Sequence, residues 1–140
     1  MDQPCIVALA LAAAMPQSPP ADDSFPPPGL DCGPINFDSP HYEDCDEAYR
    51  QIKSSPLQLI CGFGQPQYQH DVITIGTCTV HTYSQKGNAH CLNRNHILAG
   101  IEDIMHTCLT DDGYTQGSYT WTKEGQQREG VSLFWPGFEG

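Results

Sequence analysis

The sequence predicts a disulfide-stabilised α+β domain in which two helices pack on one face of a four-stranded antiparallel sheet. Three observations carry that prediction. An apolar stripe of helical period runs from Ile97 to Leu109, stretches dense in Val, Ile, Thr and aromatic residues flank it, and six widely spaced cysteines thread the body of the chain. The order of elements is helix, strand, strand, helix, strand, strand, and a helix before each strand pair suits a layer of helices on a sheet.

The second helix is the best determined element. Ile97, Leu98, Ile101, Ile104, Met105, Cys108 and Leu109 recur at i, i+1, i+4, i+7, i+8, i+11 and i+12, one face of a 3.6-residue repeat. Asn93 or Asn95 is placed to cap its start, and Asp111-Asp112-Gly113 ends it. The first helix opens at Ser39-Pro40 as N-cap and first turn, a position where a missing N–H costs nothing. Glu43, Asp44, Asp46 and Glu47 near its start and Arg50 and Lys53 near its end suit the helix dipole. Tyr42, Cys45, Tyr49 and Ile52 form its inner stripe, and Pro56 stops it.

Leu57 to Cys61 is a short strand. Gly62 to Gln69 is a loop rich in Gly, Gln and Pro. Asp71 to Ser84 is the main strand region, and its alternation changes phase at Gly76, which marks a bulge or a short turn. A turn at Gln85-Lys86-Gly87-Asn88 leads to Cys91. After the second helix, Ser118 to Lys123 alternates Tyr119 and Trp121 against Thr120 and Thr122. Gly125-Gln126-Gln127 makes a turn, and Val131, Leu133 and Trp135 line one face of the last strand.

Ahead of this domain the chain changes character. Residues 1–14 read as a secretory signal peptide: an apolar run ends in Ala12-Ala13-Ala14, although Asp2 stands where a basic residue is usual. The run is too short to span a bilayer. Residues 15–31 form a Pro-rich linker or pro-region. The single domain covers 32–136, and 137–140 is a tail.

Cys32, Cys45, Cys61, Cys78, Cys91 and Cys108 are spaced 13, 16, 17, 13 and 17 residues apart, and a seventh, Cys5, lies in the signal segment. No C-x-x-C pair of the zinc or thioredoxin type occurs, so three disulfides and an oxidising compartment are expected. Six cysteines allow fifteen pairings. A Cys78–Cys108 bridge would tie the second helix to the central strand and is the pairing expected here.

Seventeen acidic residues against six basic ones give a net charge of −11. Such a body is repelled by phosphate, which argues against nucleic acid and anionic membranes as partners. The acids are scattered, as on a solvated surface.

The words Asp31-Cys32-Gly33 with Phe37, Asp44-Cys45, Gly76-Thr77-Cys78-Thr79-Val80, and Ile101-Glu102-Asp103-Ile104 with Cys108 resemble small secreted fungal proteins of the virulence-effector and killer-toxin-like group, including the necrosis-inducing-factor type. The resemblance spans roughly 32–135. It implies a killer-toxin-like α/β sandwich, a role in host or competitor interaction, and no catalytic apparatus.

Other chemistry fits the sequence less well. Glu102 and His106, four apart, with His96, Asp103 and a third ligand from His81 or His90, would suit a metal, but no H-E-x-x-H is present and a solvated helix face explains them. Tyr68-Gln69-His70 has the spacing of guanine-specific fungal ribonucleases, yet the strand that follows has no glutamate to serve as the partner acid or base. No G-x-S-x-G supports a serine hydrolase. Tyr114, Tyr119, Trp121 and Trp135 are the candidate binding surface. If Trp121 and Trp135 lie under the helices they are core, and on the open face they would make a platform for a sugar or a partner loop.

The expectation is thus a secreted, monomeric, non-enzymatic interaction protein that binds an extracellular protein or glycan, with no catalytic residue, metal or cofactor, no nucleic-acid partner and no stable membrane insertion. A small secreted ribonuclease and a protease inhibitor displaying Gly62–Gln69 are the alternatives.

Overall fold

A computed structural model describes residues 26–61, 69–85, 91–122 and 127–136. The signal peptide, most of the linker and of the Gly62–Gln69 loop, the turns expected near 86–88 and 125–127 for the most part, and the tail lie outside the described residues. The elements are β1 (Gly29–Asp31), α1 (Tyr42–Lys53), β2 (Leu59–Cys61), β3 (Gln69–Ile75), β4 (Cys78–Ser84), β5 (Cys91–Asn93), α2 (Arg94–Thr107), β6 (Gly117–Thr122) and β7 (Arg128–Phe134). Five strands form one antiparallel sheet in the order β1-β6-β7-β4-β3, and β2 pairs with β5 in a separate two-stranded sheet.

The predicted four-stranded sheet carrying two helices on one face is therefore corrected: the described fold is mostly sheet, with seven strands to two helices. Three physical reasons account for the difference. The 71–84 region is a hairpin and not one strand, because Gly76 adopts φ 53° and the chain reverses there. Residues 57–61 do not join the main sheet; their last three pair with Cys91–Asn93, held by Cys61–Cys91. The fifth strand, Gly29–Asp31, comes from the end of the Pro-rich stretch and is held by its register with β6.

The core fills the space between the helices and one side of the large sheet. From α1 it takes Cys45, Ala48 and Ile52; from α2, Ile97, Leu98, Ile101, Ile104 and Met105; from the sheet, Cys78, Val80, Val131 and Leu133. Burial of these side chains contributes on the order of 25 cal/mol per Å² of apolar area removed from water. Gly100 lets α2 approach the sheet, since a Cβ there would lie 2.6 Å from Val131 Cγ1.

Helix boundaries differ in detail from those expected. The N-cap of α1 is His41, without a side-chain cap, while the buried Ser39 hydroxyl accepts from the Asn36 N–H at 3.0 Å. The N-cap of α2 is Asn93, whose side chain accepts from the Asn95 N–H at 2.8 Å. That helix stops at Thr107, so Leu109 leaves the stripe and is 45% exposed.

The cystines are Cys32–Cys108, Cys45–Cys78 and Cys61–Cys91. The expected Cys78–Cys108 pairing is wrong. Cys78 opens β4 beneath α1 and bonds Cys45, while Cys108 at the end of α2 lies beside the segment that follows β1.

Candidate functional site

Residues directly opposite each other in adjacent strands share a face of the sheet. Val80, Thr82, Val131 and Leu133 point toward the helices and are buried. Their neighbours His81, Tyr83, Ser132 and Phe134 consequently point to the other face, over which no described helix lies. Register extends that face into rows. One runs Asp71, His81, Ser132, Ser118, Asp31 across all five strands, and the next runs Gln69, Tyr83, Gly130, Thr120, Gly29.

A β-bulge sets the first row. The β3–β4 register shifts between Asp71 and Ile73, so Asp71 turns to the open face while Ile73 returns to the helix side. Asp71 Oδ1 then lies 2.7 Å from His81 Nδ1. An ionised carboxylate only accepts, so Nδ1 carries the hydrogen and donates, and Nε2 is the nitrogen left for other partners. Ser132 is the cross-strand neighbour of His81 on the side away from Asp71.

Tyr83 anchors the second row. Its ring occupies the space over Gly130, where a Cβ would stand 2.5 Å from Tyr83 Oη, and its hydroxyl lies 2.6 Å from Thr120 Oγ1. Burial pushes the phenol above the ordinary 10.0, opposed by the hydroxyls of Thr120 and Ser118 and reinforced by the Asp31 carboxylate. The His81 and Tyr83 ring planes lie within 28° at 6.3 Å, and Phe134 sits 5.6 Å from His81 on its other side. The result is a cluster of three adjacent rings, His81 within ring-contact distance of both others.

The aromatic residues singled out from the sequence do not form one open surface. Tyr119 and Trp121 share the face of Val131 and pack partly buried under α2, with His96 edge-on to Trp121 at 5.7 Å. Tyr114 bridges to His41, its ring 5.3 Å away. Trp135 follows the last residue of β7. His70 is opposite Thr82 and so faces the helices. His96, Glu102, Asp103 and His106 are exposed on α2, and among the described residues no group of three or more potential metal ligands is assembled.

Two features escaped the sequence reading. The open-face set of His81, Tyr83 and Phe134 was hidden because Phe134, on β7, is distant in the chain from His81 and Tyr83 on β4. A second row, Ser84, Glu129, Trp121, lies on the helix-covered face. There Glu129 is 4% exposed, and Glu129 Oε1, Ser84 Oγ and Trp121 Nε1 are buried without a hydrogen-bond partner among the described residues.

No protein-family model matches this chain, and no curated protein matches it either. The resemblance to fungal effectors thus rests on its short words alone. Three cystines are the chemistry of an extracellular or otherwise oxidising compartment. Among the described residues no helix is long and apolar enough to cross a membrane.

Proposed function

We propose that the protein is secreted and acts outside the cell by binding a partner through the open face of its five-stranded sheet. The observation that carries this reading is the cluster of adjacent rings formed by His81, Tyr83 and Phe134. Each ring is held in place, by Asp71, by Thr120 over Gly130, or by its neighbour, on a face no described helix covers. Rigid aromatic side chains surrounded by hydroxyls lose little entropy on binding. The cystines support an extracellular setting, and the resemblance to secreted fungal effectors suggests a host or competitor as the source of the partner.

The test begins with the mature protein. Intact mass with and without reduction is expected to differ by about six daltons for three cystines, with the leader of roughly 14 residues removed. Free thiols in the secreted protein would defeat the proposal.

One observation favours a second reading, hydrolysis. Asp71, His81 and Ser132 stand in the order carboxylate, imidazole, hydroxyl, which is the order of a nucleophilic relay. Covalent labelling of Ser132 by a fluorophosphonate, lost in His81→Ala, would establish it in place of simple binding.

A further inference from the structure

We propose that Cys61–Cys91 is a redox clasp: an external dithiol reduces it ahead of the other two cystines, and its opening releases β2 from β5 at the start of α2. This goes beyond the binding reading and does not depend on the open face.

Place and packing set this cystine apart. Cys61 and Cys91 stand directly opposite each other in the two-stranded sheet, which is separate from the five-stranded one. Neither residue is buried, and neither belongs to the hydrophobic core. Cys45 and Cys78 are both fully buried in that core; Cys108 is 3% exposed, and Cys32 packs against the same cluster. A thiolate has to reach a sulfur to break a disulfide, so access selects the cystine that exchanges. The exchange balances with a dithiol as reductant. Its first thiolate attacks one sulfur of the clasp, the Cys61–Cys91 bond breaks, a mixed disulfide forms, and the departing cysteine sulfur takes up a proton. Its second thiolate then attacks the mixed disulfide and releases the other cysteine. The dithiol ends as a disulfide, and Cys61 and Cys91 have gained two electrons and two protons between them.

What the clasp holds is small. Strands β2 and β5 have three residues each and pair only with each other, and a lone pair of strands is marginal in water. Leu59 is 52% exposed, which leaves Ile60 as the β2 side chain packed on the core. Leu92 of β5 is fully buried, so β5 stays with the core when the clasp opens. Arg94 limits how far the opening spreads. Its backbone N–H donates to the Gln58 carbonyl at 2.8 Å, and its guanidinium donates to the Ser55 carbonyl. Release is thus local to β2, while Cys45–Cys78 keeps α1 on β4.

The test is partial reduction of the fully oxidised protein by dithiothreitol without denaturant, with thiols alkylated at intervals and located by peptide mass spectrometry. Cys61 and Cys91 are expected to be alkylated about tenfold faster than the other four cysteines of the domain. Amide hydrogen exchange of the protein reduced at that one cystine should rise in β2 and β5 and stay unchanged in β4 and β7. The variant carrying both Cys61→Ser and Cys91→Ser should show the same exchange pattern with no reductant present. Concerted reduction of all three cystines, or earlier reduction of another, overturns the proposal. Selective reduction that leaves exchange in β2 unchanged, or raises it throughout the large sheet, overturns it as well. Both decisive measurements use the parent protein, so a serine variant that fails to fold does not obscure the answer.

Discussion

Thr77 donates twice to a single oxygen of Asp44, from its hydroxyl at 2.6 Å and from its backbone N–H at 2.8 Å. The same hydroxyl accepts from the His41 N–H at 2.8 Å. These three bonds join the first turn of α1 to the β3–β4 turn, next to the Cys45–Cys78 cystine. The Thr77 hydroxyl is the main reason the Asp44 carboxyl is held below 3.8, followed by the Thr77 N–H; burial opposes them and His41 adds to them. A depressed carboxyl stabilises the fold above its unfolded value, and that contribution disappears as pH falls through the lowered one. Thr77→Val should therefore bring the Asp44 titration back toward 3.8, read by carboxyl ¹³C NMR, and shrink the stability lost on acidification. Asp44→Ala is expected to cost about 1–3 kcal/mol at pH 7 by denaturant unfolding. An unchanged Asp44 titration in Thr77→Val would exclude this account.

Gly100 sits where α2 crosses β7. An alanine ordinarily favours a helix over glycine by about 1 kcal/mol, but here its methyl would meet Val131 Cγ1 at 2.6 Å and Tyr119 Cδ2 at 3.4 Å. Gly100→Ala is expected to destabilise by about 1–3 kcal/mol through overpacking. Adding Val131→Ala should cost less in that background than in the parent, and a double-mutant cycle measures the difference. Additivity of the two changes would contradict the proposed contact.

The cystines should differ in weight. Cys32–Cys108 closes a separation of 76 residues, against 33 for Cys45–Cys78 and 30 for Cys61–Cys91. Chain entropy assigns them about 4.5, 3.7 and 3.6 kcal/mol respectively. Paired serine replacements should rank in that order in urea unfolding. Loss of Cys32–Cys108 should also raise amide exchange in β1, whose three residues pair only with β6 in the large sheet.

Glu129 presents a carboxylate oxygen to the buried side without a hydrogen bond. A buried charge that lacks a partner destabilises the native state. Glu129→Gln keeps the shape, removes the charge and is expected to raise stability by about 1 kcal/mol, or roughly 4–8 °C in Tm for a domain of this size. A fall in Tm would mean that the carboxylate has a compensating partner in the native protein.

Several parts of the molecule were legible in residue order alone. Periodicity located α2 because its stripe repeats over more than three turns, and residue order narrowed its cap to Asn93 or Asn95, of which the structure uses Asn93. The dipole-matched charges and Pro56 located α1. Cysteine spacing indicated three disulfides and an oxidising compartment, since no close pair was available for metal or redox chemistry. These signals all arise within a few residues, or from composition.

The large sheet and the composition of its two faces were decided by contacts across the chain. A phase change at Gly76 is compatible with a bulge or a hairpin turn, and only the packing of Asp44 against that glycine makes it a turn. Strand β1 has too few residues to carry a period, and β2 left the main sheet for β5 through Cys61–Cys91. Cystine pairing required the fold, because proximity of sulfurs is a tertiary property. The sequence by itself determined that the chain has two amphipathic helices, β-rich segments and disulfides. Only tertiary structure decided that Asp71, His81, Tyr83 and Phe134 share a face, because one bulged residue in β3 sets which side Asp71 occupies.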